Sequence, residues 1–328
     1  MKSLLFVLLI VPSFLVAQPK AYTQKMLLMH CKSDITVVAN SQQEADSYIE
    51  MAVKENERIE GLLSEWMESS QISEVNRQAG IRPVKVDDEV FRLIERCKKI
   101  SEITDGAFDI TFASIDKIWK FDGTMTKLPT KEEVQASVAR IGYKKILLDE
   151  KERTVFLSEK GMKLGFGAIG QGYGADKARE LLQAKGVKAG IINSSGDITS
   201  WGTQPDGNPW IIGISNPLNS NKVFSWFPID KRAVTTSGGY EKYVVFDGVH
   251  YCHIIDPRTG YPARGLASVT VFAPKGELAD ALATGIFVMG REAGMNLVEQ
   301  LKGVDCVMVD NEGKIYTSKG IQLNPVQP

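Results

Sequence analysis

Two oxygen-bearing side chains, four residues apart, are the first candidates for chemistry in this sequence. Asp280 and Thr284 lie in a segment, 277–288, that is predicted to be helical, and their spacing places both on one helix face. A carboxylate and a hydroxyl are hard oxygen donors of the type that Mg²⁺ selects. Taken alone, such a pair is more often a surface Asp that complements the helix dipole and a Thr bonded to a backbone carbonyl. A metal site is therefore one of two interpretations.

Two glycine-containing segments could bring backbone groups close to a phosphate. Residues 164–174 are dense in glycine and lead into a predicted helix, whose N-terminus favours an anion. This segment lacks the Lys-Ser/Thr ending of a P-loop and the βαβ context of a Rossmann fingerprint. Thr236 and Ser237, followed by two glycines, end a short apolar strand and could bind a diphosphate. Ordinary tight turns explain either segment about equally well.

A histidine and an aromatic residue supply a candidate base and a candidate ring contact. His253 lies at the end of a predicted strand beside the turn at Asp256, where an imidazole can act as a base or a hydrogen-bond donor. Phe108 could stack on a ligand ring, and Asp109 could accept ring or ribose hydrogens. The alternative is a structural His, a buried Phe and a capping Asp.

The elements that must position these residues are helices interleaved with hairpins. Asp247-Gly248 is typical of a type I′ hairpin turn. Because no βαβ rhythm is present, the order indicates an α+β fold with a mixed or antiparallel sheet and packed helices. Apolar spacing and capping patterns predict helices that begin at 41–44, 87–88 and 130–133, and helices over 174–185, 277–288 and 291–301. The predicted strands are 34–38, 189–193, 210–215, 223–227, 242–246, 249–255 and 268–272, with a last hairpin around 311–313.

Composition excludes several classes of protein. The 328 residues are 43% apolar and 24% charged, and 39 basic against 40 acidic side chains give a net charge of −1. This balance rules out a disordered chain and argues against a nucleic-acid binder that uses a basic surface. Three His residues argue against a His-rich zinc or haem site. The length indicates one large domain or two intimately packed ones.

The first 17 residues have the pattern of a secretory signal. Lys2 precedes an apolar run, 4–16, that ends at Ala17, where we expect cleavage. The run is too short to span a bilayer, so we expect an exported, periplasmic or extracytoplasmic protein that is soluble after cleavage. The four Cys residues are expected to be free, buried thiols, although pairing among them stays open: Cys31, Cys97, Cys252 and Cys306.

Together and in this order, the motifs resemble those of the ApbE-type FAD:protein FMN transferases. The resemblance runs from about Met29 to near the C-terminus. It implies a T-fold-like α+β architecture in which residues 18–328 form the catalytic region, as one unit or as two intimately packed subdomains. The matching motifs are Ser73-Glu74 with Asn76, residues 106–111, Gly167-Ala168-Ile169 with Gly172-Tyr173, Asn193 with Gly196-Asp197, Thr236-Ser237-Gly238, residues 253–260, and 280–284.

The resemblance implies Mg²⁺-dependent transfer of FMN from FAD to a Thr or Ser hydroxyl of a client protein, with release of AMP. It implies that Asp280, Thr284 and the backbone carbonyl of Ala168 bind the metal. His253 is the candidate that accepts the proton of the client hydroxyl, and the family suggests a membrane redox-complex subunit as client. The candidate FAD-binding residues are Met29, Ala107, Phe108, Asp109, Gly165, Gln171, Thr236, Ser237 and Ile254.

The sequence departs from the family pattern at four places. His30-Cys31 replace the Gly-Thr that usually follows the Met, and Ser195 replaces the first Gly of an Asn-x-Gly-Gly-Asp run. Gly165 stands where the family commonly has Asp, and Gln171 stands where it commonly has Lys. The two changes remove one anion and one cation and could compensate each other. If both positions line the nucleotide pocket, we expect altered FAD affinity or orientation.

Two other functions stay open on the sequence. In an Mg²⁺-dependent FAD diphosphatase, water replaces the client hydroxyl, so FMN and AMP are both released. A non-catalytic exported FAD-binding protein would only store or deliver the flavin. The intact Asp280/Thr284 pair argues against pure binding, whereas no residue separates the transferase from the hydrolase.

Overall fold

The computed structural model describes residues 18–229 and 232–323, so the predicted signal segment, 1–17, lies outside the described part of the chain. None of the helices in those two ranges is long and apolar enough to cross a membrane. The helices are α1 (Gln42–Leu63), α2 (Gln71–Arg77), α3 (Asp88–Ile103), α4 (Lys131–Ser137), α5 (Gly170–Ala184), α6 (Gly276–Met289) and α7 (Arg291–Val298), with short 3₁₀ helices at Ile110–Ser114 and Tyr143–Lys145. The strands are β1 (Lys20–Leu28), β2 (Cys31–Ala39), β3 (Val84–Lys85), β4 (Ile146–Asp149), β5 (Thr154–Leu157), β6 (Gly190–Ser194), β7 (Asp197–Trp201), β8 (Trp210–Asn216), β9 (Asn219–Ile229), β10 (Ala233–Gly238), β11 (Tyr243–Phe246), β12 (Val249–Cys252), β13 (Leu266–Ala273), β14 (Asp305–Asp310) and β15 (Ile315–Thr317).

The main sheet is antiparallel. Its eight strands, within the described residues, run in the order β1-β2-β6-β7-β10-β13-β14-β15, and every neighbouring pair is antiparallel. Smaller sheets are formed by β3-β5-β4, by β8-β9 and by β11-β12. The predicted α+β class is confirmed, and of the two sheet types that were open, the antiparallel one is found.

Helices cover one face of the main sheet, and the β8–β9 hairpin covers the other. Val269 and Val271 of β13 belong to the core that includes α6. On the opposite face, Val234 and Phe272 pack against the hairpin, with the ring centroids of Phe227 and Phe272 5.3 Å apart. Every residue of β13 is buried. The centre of the sheet is therefore packed on both faces and gives α6 a firm support.

The glycine-dense segment is half loop and half helix. We expected the following helix to begin at Gly174, but α5 begins at Gly170, four residues earlier. A Cβ on Gly172 would lie 2.2 Å from the carbonyl oxygen of Gly276, so only glycine lets α5 approach α6 this closely. The prediction was wrong there because glycine in a helix interior is locally unfavourable, whereas a close helix crossing requires it.

Other boundaries differ by a few residues. The helix predicted to begin at 130–133 has the expected capping box and is short, ending at Ser137. The hairpin turn at Asp247-Gly248 is confirmed, since both residues have positive φ, 50° and 76°, as a type I′ turn requires. The strand after it ends earlier than predicted, at the C-terminus of β12. Strands β3, β4, β5 and β7 have two to five residues, too few for alternation to reveal them.

All four cysteines are free thiols. Cys97, Cys252 and Cys306 are buried as expected, whereas Cys31 is partly exposed. The expectation of burial was wrong for Cys31 because it begins β2 directly after the two-residue turn from β1. Burial raises the pKa of the Cys97 and Cys306 thiols, which therefore stay protonated and act as core residues.

Candidate functional site

A cavity of about 1080 Å³ opens beside α6, where several connecting segments meet. Its walls come from the α1–α2 connection, from residues 107–117, from 163–168 and from 253–257. Its volume is at the upper end of the range for small-molecule pockets, roughly 300–1,000 Å³, so a large ligand such as a dinucleotide can enter. Eight of the predicted site residues line it: Ala107, Phe108, Asp109, Gly165, Ala168, His253, Ile254 and Thr284.

A polar floor lies beside this cavity on regular elements of the fold. The side chains of Ser237 and Thr284 are in contact, with their hydroxyl oxygens 3.2 Å apart. The backbone N–H of Gly172 donates to Oδ2 of Asp280 at 3.3 Å. One strand, β10, and two helices, α5 and α6, therefore meet through polar groups here. We call this set the floor; it consists of Asp197 on β7, Thr235 and Ser237 on β10, and Asp280 and Thr284 on α6.

The two carboxylates of the floor lie close enough for Asp197 to affect the pKa of Asp280. Asp280 is only 6% exposed; burial raises the pKa of its carboxyl well above the ordinary value, and the nearby Asp197 raises it further. Burial also raises the pKa of Asp197. In the part of the chain that the structure describes, no Lys, Arg or His forms an ion pair with either group. Such a pair is unfavourable unless it holds a proton or binds a cation.

This donor set fits a divalent metal ion. Asp280 and Thr284 share one face of α6, and Ala168 lines the same cavity as Thr284. Residues 18–229 and 232–323 contain no cluster of three or more His, Cys, Asp or Glu side chains that could hold a metal. A metal bound here would therefore need hydroxyl, carbonyl and ligand oxygens besides carboxylate, which are the donors that Mg²⁺ accepts.

His253 is held in one tautomer by a backbone carbonyl. Its Nδ1 lies 3.2 Å from the carbonyl oxygen of Lys242, and its own N–H donates to the same oxygen at 2.9 Å. Because a carbonyl only accepts, the ring proton lies on Nδ1, and Nε2 keeps its lone pair. Burial lowers the pKa of His253, so the neutral ring dominates at pH 7. The residue is thus in the form that a general base requires.

The carboxylate of Asp109 accepts hydrogen bonds from other groups of the protein. Oδ1 accepts from the backbone N–H of Thr111 at 2.8 Å and from its hydroxyl at 2.6 Å, while Oδ2 accepts from the N–H of Tyr143 at 2.7 Å. The side chain thereby caps the 3₁₀ helix that follows it. Ala107 and Phe108, which precede it, are almost fully buried. This segment lines the cavity, but the capping alternative accounts for the hydrogen bonds of Asp109.

Gln171 and Met29 lie near the floor and are not among the residues that line the cavity. The Gln171 amide lies between Sγ of Cys31 and Oδ2 of Asp197. In the orientation that satisfies both amide atoms, its nitrogen donates to Oδ2 of Asp197 at 2.8 Å and to the carbonyl of Ser194 at 3.2 Å. Met29 occupies the β1–β2 turn with a positive φ of 48° and lies against the start of α5.

Thr236 and Ser237, adjacent on β10, point in opposite directions. Ser237 faces α6 through its contact with Thr284. The hydroxyl of Thr236 lies 2.8 Å from that of Thr270 on β13. Since successive strand side chains point to opposite faces, Thr236 points away from α6. The structure therefore brings Ser237 to the floor and leaves the Thr236 side chain on the other side of the sheet.

The mouth of the cavity carries residues that the sequence analysis did not select. We define the mouth as Glu65, Trp66, Lys117 and Lys163, all of which line the cavity. Trp66 is 72% exposed, and the Lys117 ammonium lies 4.8 Å from its ring centroid. An exposed Trp within a polar stretch is unusual enough to signal a binding surface. That signal was available in the sequence, just before the Ser73-Glu74 motif.

The chain is similar to members of a known protein family. The family model described as "ApbE family" matches residues 29–308. A protein named FAD:protein FMN transferase from Klebsiella pneumoniae (strain 342) is 33% identical over 268 residues, covering 81% of this chain and 83% of its own length. A protein of the same name from Treponema pallidum (strain Nichols) is 32% identical over 277 residues, covering 80% of this chain and 76% of its own.

Solved structures show the same architecture. The ApbE protein from Thermotoga maritima is similar with a TM-score of 0.83 and 32% identity, covering 92% of this chain and 98% of that one. The apo form of the flavinyl transferase ApbE from Pseudomonas stutzeri is similar with a TM-score of 0.81 and 27% identity, covering 92% and 96%. The similarity therefore extends over nearly the whole described chain.

Proposed function

This chain belongs to the ApbE family, and on that premise we propose that it is an FAD:protein FMN transferase. FAD is the donor, a Thr or Ser hydroxyl of a client protein is the acceptor, and AMP is released. The observation that carries the proposal is the position of His253, whose ring has a free Nε2 in the wall of the cavity that Thr284 and Ala168 also line. A base, a ligand cavity and a metal-compatible floor adjoin one another.

We propose that Asp280, Thr284 and the backbone carbonyl of Ala168 hold Mg²⁺. The unpaired carboxylates of the floor support this assignment, because they need a positive charge. When bound, the metal neutralises charge on the FAD diphosphate and favours attack at phosphorus. Ser237 contacts the Thr284 hydroxyl and orients it. Asp197 adds negative charge near Asp280 and strengthens the attraction for a cation.

His253 is proposed as the general base of the transfer. The acceptor oxygen attacks the phosphorus on the FMN side of the diphosphate, and the bond from that phosphorus to the bridging oxygen breaks. Nε2 of His253 takes the hydroxyl proton, and AMP leaves with the bridging oxygen. FMN stays on the client through a phosphoester. The Nδ1 contact with the Lys242 carbonyl stabilises the ring as it becomes charged.

The rest of the cavity is proposed to bind FAD. Ala107, Phe108, Gly165 and Ile254 line it and can contact the flavin or the adenosine. Asp109 shapes the wall by capping its segment. Met29, Gln171 and Ser237 would act from the floor side, Gln171 through its contact with Asp197. The side chain of Thr236 faces away from this region, so only its backbone is available for a diphosphate.

We further propose that the protein acts outside the cytoplasm on an exported or membrane-bound client. The signal-like composition of residues 1–17 supports export, and residues 18–328 then make up the catalytic region. A membrane redox-complex subunit is the client class that the family resemblance suggests.

The test is incubation of the purified protein with FAD, Mg²⁺ and a candidate client that carries an exposed Thr, followed by mass spectrometry. We expect an FMN-sized mass increase on the client together with one AMP per adduct. Free FMN and AMP without an adduct would indicate a diphosphatase. Intact FAD that is bound but not cleaved would indicate a flavin-binding protein, and either result would overturn the transferase proposal for that client.

A further inference from the structure

One carboxylate at the mouth of the cavity forms neither a hydrogen bond nor an ion pair with the residues that the structure describes. The Glu65 side chain is half-buried and lines the cavity. Among the described residues it makes no hydrogen bond and no ion pair, in contrast to Asp109, whose two oxygens accept three hydrogen bonds. Burial raises the pKa of Glu65, and Lys163 and Lys117 oppose that rise from a distance. A desolvated carboxylate without a donor costs free energy, which a ligand can recover.

The backbone holds this carboxylate in place. The hydroxyl of Ser73 on α2 donates to the backbone carbonyl of Glu65 at 3.2 Å and to that of Ser64 at 3.3 Å. Ser70 also donates to the Ser64 carbonyl. The connection between α1 and α2 is thus tied down on both sides of Glu65. Its side chain enters the cavity from a fixed point rather than from a free loop.

The opposite wall leaves room for the carboxylate. A Cβ on Gly165 would lie 2.9 Å from Oε2 of Glu65 and 2.8 Å from Cβ of Ala113. Any side chain at position 165 would therefore compete with Glu65 for the same space. Gly165 has no positive φ that would itself require glycine, and the missing side chain leaves room for both Ala113 and the Glu65 carboxylate.

From these contacts we propose that Glu65 is a ligand-binding residue that accepts a hydrogen bond from a hydroxyl or N–H donor of FAD. The proposal rests on FAD as the ligand of this cavity. FAD offers such donors on its ribityl chain and isoalloxazine ring and on its ribose and adenine. The FMN half and the AMP half therefore present the same chemistry to Glu65, and binding of each half separately distinguishes them.

The direction in which FAD affinity changes when the Glu65 charge is removed tests the proposal. FAD carries a negative diphosphate, so removing a bystander carboxylate near it leaves binding unchanged or makes it tighter. Removing a carboxylate that accepts a hydrogen bond from FAD weakens binding, by about tenfold for one charge-assisted bond. Glu68, an exposed carboxylate three residues along at the same opening, provides the matched charge control.

The experiment is titration of FAD into wild type, Glu65→Gln, Glu65→Ala and Glu68→Gln by flavin fluorescence, with EDTA present. We expect both Glu65 variants to weaken FAD binding about tenfold and Glu68→Gln to leave it unchanged or tighter. Equal or tighter binding in a folded Glu65→Gln protein would overturn the proposal. The titration requires no turnover. If the wild type binds FAD but makes no adduct, the proposed function is refuted, whereas the role of Glu65 in binding is still tested by the titration.

Parallel titrations with FMN and with AMP locate the contact. We expect Glu65→Gln to weaken one of the two and to spare the other, which assigns the donor to that half of FAD. An equal loss for both halves would show that the cavity is distorted and would overturn a direct contact. Melting temperatures of the four proteins, measured without ligand, verify that each variant is folded.

Discussion

The floor and the mouth of the site adjoin each other but are built on different principles. The floor stands on β7, β10 and α6, and Asp280 at its centre is 6% exposed. The mouth stands on segments between regular elements, and Trp66 there is 72% exposed. The floor holds two carboxylates that form no ion pair within the described residues, whereas the mouth combines two lysines with one carboxylate.

This difference indicates a division of labour. A metal and the reacting diphosphate require fixed positions, which a packed sheet and helix supply. Recognition of the rest of a large ligand, and admission of a client hydroxyl, require accessible groups of varied chemistry. Substitutions in the floor should therefore affect turnover and the response to divalent cations, whereas those in the mouth should affect binding. Four substitutions test that division.

The largest effect on turnover is expected for Asp280→Asn. Losing a charged metal ligand removes several kcal/mol of transition-state stabilisation, so we expect turnover to fall at least about 10³-fold. Because the folded-state pKa of Asp280 is raised, ionisation of this group costs stability at every pH above its ordinary value of 3.8. In EDTA at pH 8 the neutral variant should then melt at or above the wild-type temperature, by up to roughly 2–4 °C.

The matched measurement is the melting temperature with and without Mg²⁺. Mg²⁺ should stabilise the wild type and have no effect on the variant. A folded Asp280→Asn protein with normal turnover, or with the wild-type response to Mg²⁺, would contradict a metal site in the floor and the separate functions of floor and mouth.

The next effect is expected for His253→Ala, which should lower the rate of FMN transfer about 10²–10⁴-fold at saturating FAD. In the proposed mechanism His253 acts on the client hydroxyl rather than on FAD, so its loss should change FAD affinity little. Burial lowers the pKa of this imidazole below 6.5, so the wild-type rate should fall only as the pH decreases below that value. Single-turnover rates between pH 5 and pH 8 measure the rate loss in the variant and the pH dependence of the wild type. If FAD binding is lost while the bound enzyme reacts normally, His253 is a binding residue.

A smaller effect, on stability, is expected to distinguish substitutions at two glycines of the 164–174 segment. Gly172→Ala would place a Cβ 2.2 Å from the Gly276 carbonyl oxygen and 3.0 Å from Cβ of Asp280. We expect it to lower the free energy of unfolding by about 1–3 kcal/mol and to disturb the floor. A Cβ on Gly167 meets no atom within 4 Å, so Gly167→Ala is the control. Urea unfolding compares them, and equal stabilities would contradict the close crossing of α5 and α6.

The smallest effect, a change in Mg²⁺ affinity, is expected for Gln171→Lys. The amide nitrogen of Gln171 is 2.8 Å from Asp197, so an ammonium there would pair with that carboxylate. It would supply part of the positive charge that the floor lacks and weaken Mg²⁺ binding in the absence of FAD by about 0.5–2 kcal/mol. Calorimetric titration of Mg²⁺ measures this, with Gln171→Met as an uncharged control of similar size. Equal affinities in both variants would show that residue 171 does not influence the floor.

Much of the fold could be predicted because its signals are local. Capping residues and apolar periodicity predict α1, α3 and α6, and Asp247-Gly248 predicts the β11–β12 hairpin. Each depends on residues within one or two turns of chain, where spacing alone decides which side chains share a face. The i,i+4 relation of Asp280 and Thr284 belongs to this class.

The family could also be predicted, because the order of the motifs along the chain is recognisable without knowledge of their contacts. The contacts between the motifs could not be predicted and are known from the three-dimensional arrangement. In the folded chain Gln171 lies against Asp197. The carboxylate of Asp109 accepts a hydrogen bond from the backbone N–H of Tyr143. The carboxylate of Glu65 lies in the space left by Gly165. Glu65 and Gly165 are 100 residues apart in the chain, and no periodicity connects positions that distant. They come together because the α1–α2 connection packs against the 163–168 segment, a tertiary contact that no local pattern encodes.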